Sequence, residues 1–406
     1  MTHNHLTVTN IDPPIDPGSP TAGIQEALDA LPESGGMLCL KSGRYLVRRS
    51  IHLRANVTIR GEGAATILMR PTPIFFTLTA VAPALPVEAE LSAVDGLQPG
   101  DEIYIRDKGQ GGWHARHIII EHIHNKLVQG SIVAGDPRRS YSPDADGHGG
   151  NFFPMIMIPG SHNAMVADLA IDGGPHVYSR EQMPGFTCSG VHGVKAENLR
   201  VRDITVRRWP SDGISAQGGS AFVTECLVED CLGHGFHPGS NITHSIWNNN
   251  IARRNGQDGF YFCRGVRNAI VSGNLLIENR MNGIGNLSAP DAYNVVTGNV
   301  IARNGRHGIE AFEALGNVIG NNQVRDNSQS DVGRFAGIRL ESHADNIVTG
   351  NLCLDTQTSP TQKTGIELVD PAGENKFADN HGTMVTADAV CQPPLGEIRT
   401  TETPPP

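Results

Sequence analysis

One glycine returns eight times along this chain at nearly constant spacing. Gly190, Gly213, Gly235, Gly259, Gly283, Gly308, Gly337 and Gly365 lie 22 to 29 residues apart, and each opens a short apolar run: VHGV, ISAQ, FHPG, FYFC, IGNL, IEAF, IRLE and IELV. A self-similar period of this size marks a solenoid, whose units bury their apolar faces only against neighbouring units. A second ladder keeps step with the first, because Asn250, Asn274, Asn299, Asn322, Asn351 and Asn380 recur at similar intervals and mostly precede another apolar run. Two or three short strands per repeat, with no apolar period of helical length, predict an all-β fold, a right-handed parallel β-helix.

The rest of the chain divides around that repeat. Residues 1–20, with Pro13, Pro14, Pro17 and Pro20, read as an extended leader. Residues 21–71 hold a capping helix and the first coils. Ile24, Ala27, Leu28 and Leu31 fall at i, i+3, i+4 and i+7, and Pro32 stops the helix. A cap is needed because an open solenoid end exposes strand edges and core. Residues 72–158 lose the repeat and alternate apolar with polar residues, which predicts a small inserted antiparallel β subdomain. Its loops GQGGWHARH and YSPDADGHGG, rich in His, Trp and Asp, are placed to wall a groove on the solenoid face. Residues 159–382 are the β-helix proper, and 383–406 form a polar, proline-rich tail.

The segment 21–71 carries a helix, the turn Gly35-Gly36, a strand ending at Gly43-Arg44-Tyr45 and a coil Val57 to Gly61. In these features, and in the repeats of 159–382, the chain resembles the pectate-lyase-like superfamily. The resemblance implies the β-helix fold and leaves the chemistry open.

Side chains alternate faces along a strand, so the apolar residue after each glycine points inward while its flanking positions point outward, stacked about 4.8 Å apart. The position before the glycine reads Ser189, Asp212, His234, Asp258, Asn282, His307, Ala336, Thr364; two residues after it come His192, Ser215, His237, Tyr261, Gly285, Glu310, Arg339, Glu367. Gln217, Cys263, Arg264, Glu313 and Glu341 follow on the same strands. Acids, bases and a tyrosine thus gather on one predicted strip, with Gly285 as a gap for a ligand. The Asn ladder reads as structural, since stacked asparagines hydrogen-bond one another. Asp212 and Asp258 serve equally as turn residues.

The segment HGFHPGSN…NGQDGFYFCRGVRNAIVSGN is similar to consecutive coils of bacterial alginate C5-epimerases. His237-Pro238 occupies that family's Asp-Pro position, Arg264 matches its arginine, and Gly239 replaces its histidine. The mechanism this implies is removal of the proton α to a sugar carboxylate, which needs a base, a cation and a proton donor. His237 or His234 would be the base, Arg264 or Arg339 the cation and Tyr261 the acid of a polysaccharide lyase. His192, Asp212, Gln217, His307, Glu313, Arg339, Glu341 and Trp113 would bind substrate. The alternative enzyme is a glycoside hydrolase or fructotransferase-type transglycosidase using two carboxylates among Asp212, Asp258, Glu310, Glu313 and Glu341. The ending Arg-Thr-Thr-Glu-Thr-Pro is similar to that of inulin fructotransferases. A further alternative is a non-catalytic glycan-binding or structural β-helix.

A formal charge of −10 with only 32 basic residues argues against nucleic acid, and six lysines suit a neutral sugar better than a polyanion. No apolar stretch reaches transmembrane length, and no membrane partner is expected. Seven cysteines at irregular spacing read as reduced core thiols. The start MTHNHLTVTN shows no signal peptide, which as given reads as cytoplasmic. No cofactor is expected; Ca²⁺ would fit only if Asp144, Asp146 or the ladder acids converge. The inserted subdomain could equally mediate a homo-oligomer, such as a trimer.

Overall fold

The computed structural model describes residues 7–11, 16–109, 115–175, 184–341, 344–370 and 374–386. Among them the repeat folds as stacked three-sided coils. One face begins at Ile51–His52 and Ile156–Pro159 and continues through Phe236–Gly239, Ile309–Phe312 and Ile366–Val369. A second starts with Val8–Ile11, a paired strand within the expected leader, and Gly36–Leu40, and runs through Val57–Arg60 to Lys376–Ala378; a ten-stranded sheet from Gly43–Leu46 to Leu352–Leu354 forms the third. The long strands Val191–Arg202 and Ile214–Thr224 bend around a corner and belong to the first two faces at once. The ladders between coils are parallel, as Val191↔Ile214↔Phe236 illustrates, with register shifts at Ala196/Leu199 and Ile284/Leu287.

The recurring glycine is required by close approach. A Cβ on Gly213 would lie 2.2 Å from Val228 Cγ1, and one on Gly308 would lie 2.3 Å from Val324 Cγ1, both on the facing ten-stranded sheet. Coils are narrow here, and only a residue without a side chain lets two faces meet. The residue that follows, Val191, Ile214, Phe236, Phe260, Ile284, Ile309, Ile338 or Ile366, is buried in one continuous core.

Three asparagine ladders close the corners. In the longest, Asn250, Asn274, Asn299, Asn322, Asn351 and Asn380 each accept, through Oδ1, the backbone N–H of the residue one coil earlier; the contacts are 3.0–3.1 Å. Asn255, Asn279, Asn304 and Asn327 form a second, and Asn294, Asn317, Asn346 and Asn375 a third. Each buried amide thereby satisfies backbone groups that tight corners leave without ladder partners.

The helix Ile24–Asp29 caps the solenoid with Ile24 and Leu28 buried. Between early coils sits a six-stranded antiparallel sheet, Phe75–Thr77, Glu88–Glu90, Glu102–Arg106, Arg116–His124, Leu127–Ala134 and His148–Gly150, with its own core of Phe76, Leu91, Ile103, Ile105, Ile118 and Val128. It is docked by buried polar contacts. Arg48 pairs with Asp101 at 2.5 Å, and Glu102 Oε2 accepts the N–H of Ser50 at 2.8 Å. Among the described residues no helix is long and apolar enough to cross a membrane.

Candidate active site

The outward row of the first face reads His52, Met157, His192, Ser215 and His237 in register. These positions point out of the core, but His192, Ser215 and His237 are not exposed, being 3%, 0% and 4% accessible. The turn Phe186–Cys188 lies against His192 and His237, and the inserted sheet faces His192. Phe186 lies over both histidines, its ring centroid 5.9 Å from His192 and 5.4 Å from His237.

The row before the glycine is likewise buried rather than a solvent-facing strip. Asp212 Oδ1 accepts the N–H of His234 at 2.7 Å, His234 Nδ1 that of Asp258 at 3.2 Å, and Asp258 Oδ1 that of Asn282 at 2.7 Å. Asn282 Oδ1 and His307 Nδ1 continue the series to His307 and Ala336, both at 3.0 Å. Asp212, His234, Asp258 and His307 therefore act as corner residues, as the asparagines do elsewhere.

One of them, Asp212, has a second contact that the corner does not need. Asp212 Oδ2 lies 2.6 Å from His237 Nδ1. Burial disfavours charge on this imidazole, but the Asp212 carboxylate and Cys263 outweigh it and raise the His237 pKa to about 9. Asp212 is lowered despite its burial, because His237 and the His234 N–H stabilise its charge. His237 Nε2 is buried and has no partner, and the same is true of His192 Nδ1. Burial, with His117 and His237 nearby, lowers His192 to about 3. The two imidazoles thus sit in opposite environments: burial favours the neutral form of His192, and the Asp212 carboxylate favours the protonated form of His237.

Tyr261 stacks on His234 at 4.0 Å and meets His237 edge-on at 5.0 Å; burial raises its pKa. Gln217 donates to Ser215 Oγ and to the His237 carbonyl, and accepts from Ser240 Oγ. A Cβ on Gly239 would lie 2.6 Å from Gln217 Oε1, so Gln217 fills the space a larger residue at 239 would use. Arg264 is exposed and forms no ion pair among the described residues.

Further along, Asp258 and Glu310 form a carboxylate pair. Glu310 Oε2 accepts from Asn282 Nδ2 at 2.9 Å, and burial together with Asp258 raises its pKa. The gap expected at Gly285 does not exist: the Asp258 carboxylate occupies it. Arg339 is surrounded by Glu341 at 2.6 Å, Glu367 at 3.7 Å and Glu310 at 3.9 Å. Burial and Arg339 lower His307 to about 3. Glu313 is exposed beyond the strand Ile309–Phe312, and Trp113 lies outside the described residues. Asp146 pairs with Lys108 at 2.9 Å.

The inserted sheet adds residues that the period could not reveal. His117 Nδ1 lies 2.8 Å from Glu102 Oε1, both buried, and Nε2 3.3 Å from Oγ1 of the half-buried Thr187. Burial opposes charge on His117, but Cys188 and Glu102 raise it to about 10. Between this sheet and the coils lies a cleft of about 540 Å³ lined by His52, Glu102, His117, Phe186, His192 and Arg264 among others. The only sequence signal for His117 was its place in the loop GQGGWHARH.

A family described as "Periplasmic copper-binding protein (NosD)" matches residues 168–352. The donors among the described residues do not fit a copper centre. Among the described residues no three His, Cys, Asp or Glu side chains converge, and the Nδ1 atoms of His117, His234, His237 and His307 are committed to carboxylates or backbone N–H groups. No curated protein matches in sequence. Among solved structures, tailspike protein 2 from Escherichia coli O157:H7 bacteriophage CAB120 is similar at TM-score 0.58 and 12% identity, over 89% of this chain; the chain spans 41% of the tailspike's length. The polygalacturonase of Erwinia carotovora ssp. carotovora aligns at TM-score 0.55 and 10% identity, covering 96% of this chain and 97% of that one. The A-module of mannuronan C-5 epimerase AlgE4 from Azotobacter vinelandii aligns at TM-score 0.50 and 15% identity, covering 94% and 96%. With the stacked parallel coils described above, these likenesses show the fold of the chain, a right-handed parallel β-helix.

Proposed function

We propose that the protein is a carbohydrate-active enzyme that removes the proton α to a sugar carboxylate and eliminates across the glycosidic bond. The observation that carries this reading is the pair of buried, partnerless ring nitrogens, His192 Nδ1 and His237 Nε2, near the unpaired cation Arg264. A neutral imidazole is a base, an imidazolium held by a carboxylate is an acid, and a free guanidinium stabilises an enolate-like carboxylate. His192 would take the C5 proton while Arg264 holds the carboxylate. As the C4–O bond breaks, His237 Nε2–H, or Tyr261 O–H, would protonate the leaving oxygen, with a C4=C5 double bond as product. Phe186 must swing aside for a ligand to reach His237. The mannuronan epimerase and polygalacturonase among the structural neighbours support a saccharide substrate.

Acidic and neutral polysaccharides incubated with wild type, His237→Ala and Glu310→Ala test this. Unsaturated-uronate absorbance that is lost in His237→Ala is the expected result. Reducing ends released without absorbance, and lost in Glu310→Ala, would instead establish the two-carboxylate hydrolase or transglycosidase, which the raised pKa of Glu310 beside Asp258 favours. Silence on every substrate would favour a glycan-binding protein.

A further inference from the structure

We infer that the groove is closed at one end and receives the terminus of a saccharide chain rather than its interior; this rests on the saccharide reading above. The outward row runs from His52 through His192 and His237 to Tyr261, Glu310 and Arg339. Its two ends differ. Tyr261, Glu310 and Arg339 stay partly exposed, so a chain lying over them has open solvent beside it. Over His52, Met157 and His192 stand Ala115, His117 and residues 133–136 of the inserted sheet, across the cleft of about 540 Å³. A polymer following the row meets this sheet as a wall.

The wall is anchored at both ends of the stretch it covers. At the first coil, Glu102 accepts the N–H of Ser50 and donates its own N–H to the Arg48 carbonyl at 3.1 Å, while Asp101 pairs with Arg48. At the entry to the His192 coil, His117 reaches Thr187. Lifting the sheet would separate buried charged partners, so it does not step aside as a surface loop can. The cleft volume lies within the range of about 300–1,000 Å³ typical of pockets for small ligands, room for a terminal mono- or disaccharide and not for a through-running chain. The reaction, if it occurs beside His192, therefore releases short products from a chain end.

The test follows product length over time on reducing-end-labelled oligouronates and on intact polymer, with oligomer binding measured alongside by calorimetry. An end-acting site gives mono- or disaccharide from the first time point and little early loss of viscosity. Its affinity stops rising beyond short oligomers and falls at least tenfold when a bulky acetal or fluorophore blocks the terminal ring it holds. Ala134→Trp, on the wall, weakens the binding of short oligomers at least tenfold with an unchanged unfolding midpoint. Intermediate-length products from the start, or affinity indifferent to blocking either end, would overturn the inference while leaving the enzymatic reading intact. End-selective binding without turnover would uphold the closed groove and remove the enzymatic reading. Absence of both binding and turnover would overturn the two together.

Discussion

The Asp258 carboxylate fills the space that a side chain at Gly285 would need. A Cβ built there would lie 2.7 Å from Asp258 Oδ1 and 2.9 Å from Oδ2. Gly285→Ala should displace Asp258 from the Asn282 N–H and destabilise the protein by about 1–3 kcal/mol, as overpacking does. Urea unfolding measures this. Asp258→Ala should reduce the extra cost of Gly285→Ala in a double-mutant cycle, and additivity would refute the proposed conflict.

Removing the charge at Asp212 should reverse the titration of His237. With the carboxylate present the imidazole titrates near 9, although burial alone pulls it down. In Asp212→Asn the burial contribution dominates, and NMR titration should find the His237 pKa below its ordinary 6.5. Turnover attributable to a positioned acid should fall by about 10²–10⁴-fold.

The Glu102–His117 pair should leave a signature in stability against pH. His117 is raised from 6.5 to about 10, so its contribution is complete below pH 6.5 and is lost as pH rises through about 10. Glu102 is lowered from 4.5, so its contribution is present above pH 4.5 and is lost on acidification through its lowered value. The stability gap between wild type and Glu102→Gln should therefore be widest between pH 4.5 and 6.5, about 3–5 kcal/mol for a broken buried pair, and should close toward pH 10. Unfolding midpoints across that range test it; a flat gap would contradict it.

Position within the asparagine ladder should set the cost of losing a member. Asn299 Oδ1 accepts both the N–H and Nδ2 of Asn274, and its Nδ2 serves the Val271 carbonyl and Asn322. Asn299→Ala orphans buried groups on two coils and should cost at least about 2 kcal/mol, at about 1–3 kcal/mol for each unsatisfied group. Asn380 ends the ladder in a less buried corner, and Asn380→Ala should cost less in the same measurement.

The parallel solenoid, its helical cap and the antiparallel insertion were legible because each repeats or breaks a period. Strand alternation also identified Val191 or Ile338 as inward and His192 or Arg339 as outward. It could not say what covers an outward residue. His192 lies beneath Phe186 and a sheet more than forty residues earlier in the chain, and His237 beneath Phe186, which precedes both in the chain. The contacts of His117 with Glu102 and Thr187, and of Glu102 with Ser50, likewise join segments with no common period. Nor does residue type separate the two uses of an acid: Asp212 is a corner residue through one oxygen and the partner of His237 through the other.

The corner asparagines also bear on how such a molecule changes size. Each coil is completed by the next through the same contacts, so whole coils between Asn274 and Asn351 are interchangeable cassettes. Duplicating one would lengthen the open stretch of groove by about one strand spacing, 4.8 Å, while leaving the walled end untouched. The molecule is built like a ruler with one fixed stop, whose reach can be reset by gene duplication without redesigning the walled end.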